Sequence, residues 1–444
     1  MNGIHAFRAF LALTLSLSSL HADWPRWMGT DTQGIWEEEG IVSQLPAKPD
    51  VVWKVPIGLG YSAPSIAGDK VYLFEYQKES GELNNLPSGK DKLSGKERLR
   101  CFDVESGDEI WRHEYDRPYF LSYAGGPRCA PTIADGKVYA LGAEGDLTCL
   151  DADTGQVLWA KNFLADYGVE TPIWGHSAHP LVWEGMVFGL VGGEGQTAVA
   201  WDAVTGEEKW RALSASEPGY CPPTIMDQQG KPTLLIWHPQ SLNGLDPRTG
   251  AGQWSVPLKP NYGMSIMAPR TSGDFLFASG IGRVGALIRF SPTGEPEIVW
   301  RSKPKEGVYC ANSTPFIIDG VIYGCDVDSS ALTAVDLSTA ERLWATTLPT
   351  LGPDGDPKAR HGTAFLTLHA PSDTFFLFSE TGDLIHADLS RDGYAELGRT
   401  PLLTPTNEAF GRPVVWTAPA FSHKSIFVRN DEELIRVNLA SQGD

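Results

Sequence analysis

The residues of this 444-residue chain that could do chemistry fall in connections between short apolar runs, not in a catalytic motif. Tyr61, Tyr123, Arg128, His176, His179 and Tyr220 lie in such connections. His238, Tyr262, Tyr309, Asn312, Arg360, His361, Arg412 and Trp416 continue the series. Aromatic faces beside guanidinium and imidazole donors suit a planar or sugar-like ligand bearing negative or hydroxyl groups. If these connections converge, Arg128, His176, Arg360, His361 and Arg412 form a cationic mouth that invites an anion. Protonated histidines there predict binding that weakens as pH rises through about 6.5.

Other chemistries find less support. Glu144, Glu194, Asp326, Asp328 and Glu380 supply oxygens that could hold calcium, but each sits in a short turn and reads as a solvated hairpin residue. Gly192 to Gly195 resembles a piece of a phosphate loop without the helix such a loop needs. Six cysteines are spread singly, with no Cys-x-x-Cys pair. Cys129 and Cys149 fall two strands apart, about 9 to 10 Å, beyond the roughly 7 Å a disulfide allows. Mostly unpaired, buried thiols are expected.

What must position the mouth residues is a repeat. Asp103 to Gly107 leads to Trp111, Asp151 to Gly155 to Trp159, Asp202 to Gly206 to Trp210, and Asp246 to Gly250 to Trp254. Weaker copies lead to Trp300 and Trp344. Successive tryptophans are 48, 51, 44, 46 and 44 residues apart, a period of propellers and solenoids. The copy from Cys129 to Asn162 reads as four strands: Ala130 to Ile133, a turn at Asp135-Gly136, Lys137 to Gly142, a turn at Glu144-Gly145, Leu147 to Leu150, then an outer strand from Val157. The span from Val51 to Leu439 holds 389 residues, close to eight units. The last unit lacks an outer strand, and Val51 to Val55 has the sequence to supply it. The expectation is an all-β, eight-bladed propeller of four-stranded antiparallel blades, its ring closed by an N-terminal strand, with the tryptophans packed between blades.

The Asp-x-x-Thr-Gly-x-x-x-Trp spacing resembles the tryptophan-docking repeat of the pyrroloquinoline-quinone-repeat propellers, a family that includes quinoprotein alcohol dehydrogenases and the lipoprotein subunit of the outer-membrane β-barrel assembly machine. The resemblance covers most of the chain and implies architecture. On the enzyme branch it would also imply an adjacent cysteine pair over the cofactor, a Glu and an Asn on calcium, and an Asp base. No adjacent cysteine pair exists here, and none of those roles can be placed by motif. The favoured reading is therefore a non-catalytic binding or scaffold propeller of the cell envelope, recognising a protein segment, glycan or small anionic ligand at the long-loop face. No cofactor is expected. The alternative is a dehydrogenase using pyrroloquinoline quinone (PQQ) and calcium.

Met1 to Ala22, with Arg8 and an apolar run from Phe10 through Leu17, reads as a secretory signal. The expected product is exported, periplasmic or extracellular, and soluble, with residues 23–50 an extension packed on the propeller of residues 51–444. Removing the signal takes the net charge from −19 to −20, which argues against a nucleic-acid partner. No stretch has the roughly 18 apolar residues of a membrane helix. The insertion Gln77 to Glu97 reads as a solvated, flap-like loop.

Overall fold

The Asp-x-x-Thr-Gly stretches fold as turns because one carboxylate ties down successive amides. Asp151 Oδ1 accepts from the backbone N–H groups of Asp153 and Thr154, and Gly155 follows at a φ of +70°. Asp103, Asp202, Asp246 and Asp336 hold their turns the same way. Each turn launches an outer strand carrying a tryptophan, and a β-bulge separates the third and fourth strands in all eight sheets. Opposite the tryptophan stands a small residue in most blades. Cys101 faces Trp111, Cys149 faces Trp159, Ala200 faces Trp210 and Gly244 faces Trp254.

The tryptophan docks on the next blade. Trp111 Nε1 donates to the Ala152 carbonyl, Trp159 to Ala203, Trp210 to Pro247, Trp300 to Leu337 and Trp344 to Ser390. The ring covers the turn glycine of that next blade, so that a Cβ on Gly206 would stand 2.7 Å from Trp159. Trp254 is the exception, because the following turn begins at Ser291. Its indole donates to Gln228 Oε1, and Gln228 Nε2 reaches on to the Gly294 carbonyl of the next blade. The aromatic wedge thus holds neighbouring sheets together by burial and one hydrogen bond.

A computed structural model describes residues 23–356 and 358–441, and the expected secretory signal, Met1 to Ala22, lies outside them. The molecule is an eight-bladed β-propeller of four-stranded antiparallel sheets with two short helices. Blade 1 runs from Ser65–Ala67 to Glu109–Asp116, and blade 2 from Thr132–Ala134 to Val157–Asn162. Blade 3 runs from Leu181–Trp183 to Glu208–Ala212, and blade 4 from Thr224–Gln228 to Gly252–Pro257. Blade 5 runs from Arg270–Ser272 to Pro296–Arg301, blade 6 from Phe316–Ile318 to Arg342–Thr346, and blade 7 from Ala364–His369 to Tyr394–Pro401. Blade 8 takes three strands from Ala420–Ser422, Ser425–Arg429 and Glu433–Asn438, and its outer strand is Asp50–Pro56. The N-terminal strand closes the ring as the sequence predicts. All six cysteines are buried free thiols.

Ahead of that closing strand the chain threads the lower end of the axis, touching successive blades. Trp24 exchanges backbone hydrogen bonds with Ile66 of blade 1, Pro25 accepts from Ile133 of blade 2, and Arg26 donates to Val182 of blade 3. Arg270 of blade 5 donates to the Thr32 and Gln33 carbonyls, and Ile35–Trp36 pairs in parallel with Leu368–His369 of blade 7. The contacts to blades 1, 2, 3 and 7 satisfy backbone groups of inner-strand edges that would otherwise face the channel unpaired, and Arg270 in turn satisfies carbonyls of the segment. Leu45 then packs on Gly398, which stands where blade 7 has lost its tryptophan, and Thr400 Oγ1 donates to the Pro46 carbonyl.

One local expectation is corrected. Residues 77–97 are not a loose flap: most of the segment continues the second and third strands of blade 1, Lys70–Ser80 and Asp91–Asp103, as a long hairpin. Alternation of buried and exposed side chains along Asp91 to Glu97 and the added pairing of Tyr119–Leu121 stabilise the extension.

Candidate functional site

The eight connections that enter the innermost strands all emerge on one face, and each sends a side chain toward the axis. Together they enclose an outer chamber of about 560 Å³ that opens at the mouth. Below it, lined in part by the same residues, is an inner chamber of about 180 Å³, with Trp27 of the N-terminal segment among its lining residues. Tyr61 comes from blade 1, Tyr123 and Arg128 from the connection into blade 2, and Tyr220 from that into blade 4. Tyr262, Asn312, His361 and Trp416 come from the connections into blades 5, 6, 7 and 8. His179 lines the inner chamber, stacked on Trp27 at 5.0 Å and accepting the Ala130 N–H at Nδ1.

Five of the expected residues stand elsewhere. His176 is buried, lying edge-on to Phe163 at 5.2 Å, and neither ring nitrogen makes a hydrogen bond. Tyr309 is buried and donates its hydroxyl to the Lys303 carbonyl. Arg360 is exposed and outside the lining. Arg412 turns away to Glu380, with Nε 2.7 Å from Oε1. His238, also in the sequence set, holds its own turn through the Gln240 N–H and Ser241.

The expected cationic mouth is therefore corrected. Arg128 lines both chambers, but its Nε donates to the Trp174 carbonyl and its two terminal nitrogens donate to Ser122, Tyr123 and Gly126. It braces the connections into blades 2 and 3. Burial lowers His176 and His361 to about 4 and His179 to about 3, with the nearby Arg412 also depressing His361. These imidazoles are neutral at pH 7, so the fall in binding through pH 6.5 does not follow. Backbone carbonyls have claimed the donors of Arg128 and a carboxylate those of Arg412, while Arg360 stands exposed outside the lining.

Glu194 is an exposed turn residue and Asp328 pairs with exposed Arg283, as solvated hairpin acids do, but the other three acids behave differently. Glu144 accepts from Phe120 N–H and the Thr171 hydroxyl, and buried Asp326 accepts from Tyr309 N–H and Ser329. Glu380 takes the Thr363 N–H and the Trp416 indole as well as Arg412, and burial raises its carboxyl above the ordinary range against their pull. Turn carboxylates thus anchor the long connections. Among the described residues no group of three or more His, Cys, Asp or Glu converges in metal-binding geometry.

Sequence reading missed several wall residues. Trp174 meets Tyr220 edge-on at 5.7 Å, and Phe410 stacks flat on His361 at 4.7 Å. Ile173, Met264, Ile266 and Ile281 supply aliphatic surface. Both aromatic rings lie in the same elaborated connections as the expected residues, so position alone could have nominated them. The tip of the blade 1 hairpin also reaches the mouth. Asn85 donates to Asn407, Ser122 to the Leu86 carbonyl and Trp174 to the Pro87 carbonyl. Tyr123, Tyr262, His361 and Phe410 all hold φ between +50° and +60°, a conformation costly for bulky side chains and concentrated at functional sites.

Comparison with known proteins agrees with this architecture. The family model described as outer membrane protein assembly factor BamB matches residues 95–230 and 238–443. Outer membrane protein assembly factor BamB of Moranella endobia is 23% identical over 230 residues, 48% of this chain and 56% of that one. The chain thus spans about half the length of that relative. The crystal structure of BamB from Moraxella catarrhalis superposes with a TM-score of 0.57 at 15% identity, covering 89% of this chain and 98% of that one. Quinohemoprotein alcohol dehydrogenase from Comamonas testosteroni does so at 0.60 and 14%, covering 95% and 81%. At these identities the two structures speak to fold alone. The family match runs over most of the described blades, and the chain belongs to the family of the outer membrane protein assembly factor BamB.

Proposed function

We propose that this chain is an exported, non-catalytic recognition propeller of the cell envelope that takes a group from its partner or ligand into the axial cavity of the long-loop face. The observation that carries this reading is the cavity itself. All eight entry connections contribute to it, and its walls are mainly rings and aliphatic side chains with a few polar groups. Such a concave, mainly apolar site with a few placed polar groups is the usual form of a recognition pocket. The left-handed backbone at four wall residues supports it, because that strain is retained where position matters. Relatives named as assembly factors support a scaffold role, and Met1 to Ala22 supports export.

A quinone-dependent dehydrogenase has the support of the shared fold, but the residues do not fit that cofactor and its calcium. The cysteines are single and buried, and the acids nearest the mouth are spent on loop amides and Arg412. Two experiments test the assignment. Purified protein incubated with PQQ and calcium should elute from gel filtration without cofactor absorbance, and stoichiometric co-elution would favour the enzyme. A photo-crosslinking side chain at Tyr262 on the mouth should give a discrete adduct in the native envelope, whereas one at exposed Val204 on the opposite face should not. Equal labelling from both positions would remove the mouth as the recognition face.

A further inference from the structure

We infer that the axial cavity takes an uncharged, flat molecule, apolar along most of its length and carrying hydrogen-bonding oxygen atoms at its inner end. This rests on the proposed function only in placing recognition at this cavity, and it names the class of what enters.

The two chambers differ in kind. Trp174, Tyr262, Ile281 and Phe410 wall the outer one, while Asn312, Ser313 and Thr314 bring polar atoms to the inner one above Trp27. Polar atoms are left over in the walls, from Tyr220 between the two chambers, Ser313 in the inner one and Tyr123 in the outer one. Tyr220 is 4% exposed and Ser313 6%, and neither hydroxyl makes a well-formed hydrogen bond; the shielded hydroxyl of Tyr123 makes none either. A buried hydroxyl without a good partner is destabilising, so a molecule bringing oxygen atoms to Tyr220 and Ser313 supplies what the fold does not. Ring faces on several sides favour a flat body. Trp416 stands 5.9 Å from Tyr123 and 6.1 Å from Phe410 between centroids.

Charge decides the class. Among the lining residues, Arg128, His179 and His361 are the groups able to carry charge, and no carboxylate or lysine lines either chamber. Arg128 gives its hydrogen bonds to four carbonyls, and the two imidazoles are neutral at pH 7. An anion entering would lose its hydration without gaining a free cluster of donors, and a cation would meet no carboxylate. Burying an ion in that state costs several kcal/mol, and a neutral molecule avoids the penalty.

The test uses a matched pair of probes of one shape, 2-naphthol and 2-naphthoate, titrated calorimetrically into the full chain at pH 7. The neutral probe should bind at least about tenfold more tightly, a difference of about 1.4 kcal/mol. Filling the cavity with Ile266→Trp should abolish the heat, and Tyr123→Phe with Ser313→Ala should weaken binding by about three- to tenfold while the unfolding midpoint is retained. Equal or tighter binding of the carboxylate overturns the inference, as does undiminished binding in Ile266→Trp or no binding of 2-naphthol at millimolar concentration. If 2-naphthol fails to bind while crosslinking from Tyr262 still gives its adduct, the ligand class falls and recognition at the mouth stands. Failure of both removes both.

Discussion

Gly206→Ala separates two reasons for the glycine of the Asp-x-x-Thr-Gly turn. Gly206 and Gly136 share a φ of +70°, so an alanine at either position meets the same backbone penalty, about 1 to 2 kcal/mol. Their surroundings differ. A Cβ at Gly136 meets nothing within 4 Å, whereas one at Gly206 stands 2.7 Å from Cδ2, 2.9 Å from Cγ and 3.0 Å from Cε3 of Trp159. That indole cannot swing aside, because it is 9% exposed and its N–H is held 3.2 Å from the Ala203 carbonyl. Forcing a methyl under it adds an overpacking cost of about 1 to 3 kcal/mol. Gly136→Ala should therefore lose about 1 to 2 kcal/mol and Gly206→Ala about 2 to 5 kcal/mol. Guanidinium denaturation at equilibrium measures both, and a cycle with Trp159→Ala isolates the contact. In the Trp159→Ala background the second methyl should cost only the backbone term, giving a favourable coupling of about 1 to 3 kcal/mol. Equal losses for the two alanines, with no coupling, would show that glycine is there for its φ alone and that the blade-to-blade docking argument is wrong.

Acid should destabilise the protein between pH 6.5 and about 4 through His176. The unfolded imidazole gains its proton near 6.5 while the buried one resists to about 4, so the unfolded state binds more protons in that window and stability rises with pH. The shift corresponds to about 3 kcal/mol, and His176→Phe should remove that share of the pH dependence of the denaturation midpoint, leaving the shares of buried His179 and His361. Glu380→Gln should cost about 1 to 2 kcal/mol by unpairing Arg412, and should shift Trp416 fluorescence; an unchanged midpoint and spectrum would refute the anchoring role. Deleting residues 23–40 should strip hydrogen-exchange protection from the Ile66, Ile133 and Leu368 amides, which donate to Trp24, Pro25 and Gly34, while Val138 in the blade interior keeps its own. Trp159→Ala alone should lose about 3 to 5 kcal/mol, and an unaltered midpoint would count against inter-blade packing.

The blades were legible because each repeats a turn and a wedge whose chemistry is local. An Asp that caps amides, a Gly at positive φ and a Trp a few residues on can be aligned by eye. Their partners across the bulge, such as Cys149 opposite Trp159, obey a strand register that the period already fixes. Blade 7 shows where the grammar stops. Its tryptophan is replaced by Gly398, its facing residue is the larger His386, stacked on Phe376 at 4.8 Å, and Leu45 from the N-terminal segment covers the glycine. No reading of the repeat could assign a residue 353 positions upstream to that gap. The course of the N-terminal segment around the axis was hidden for the same reason, since the hydrogen bonds that fix its register run to backbone carbonyls and amides that every sequence offers.

The mouth was legible in position and misread in chemistry, and the cause is general to loop-built sites. Long connections leave many backbone groups without sheet partners, and those groups need donors and acceptors close by. Arg128 and Glu380 are suited to that work, so the side chains that look most like ligand-binding groups are the first to be consumed. Arg128 serves four carbonyls, and Glu380 serves an amide, an indole and Arg412. Residue type counts both as available charge. What remains facing the cavity is what the backbone could not use: ring faces, branched aliphatics, and hydroxyls too deep to find a loop carbonyl. A site built this way selects by shape and by a few neutral hydrogen bonds, and its polarity is set by the accounting of the loops around it.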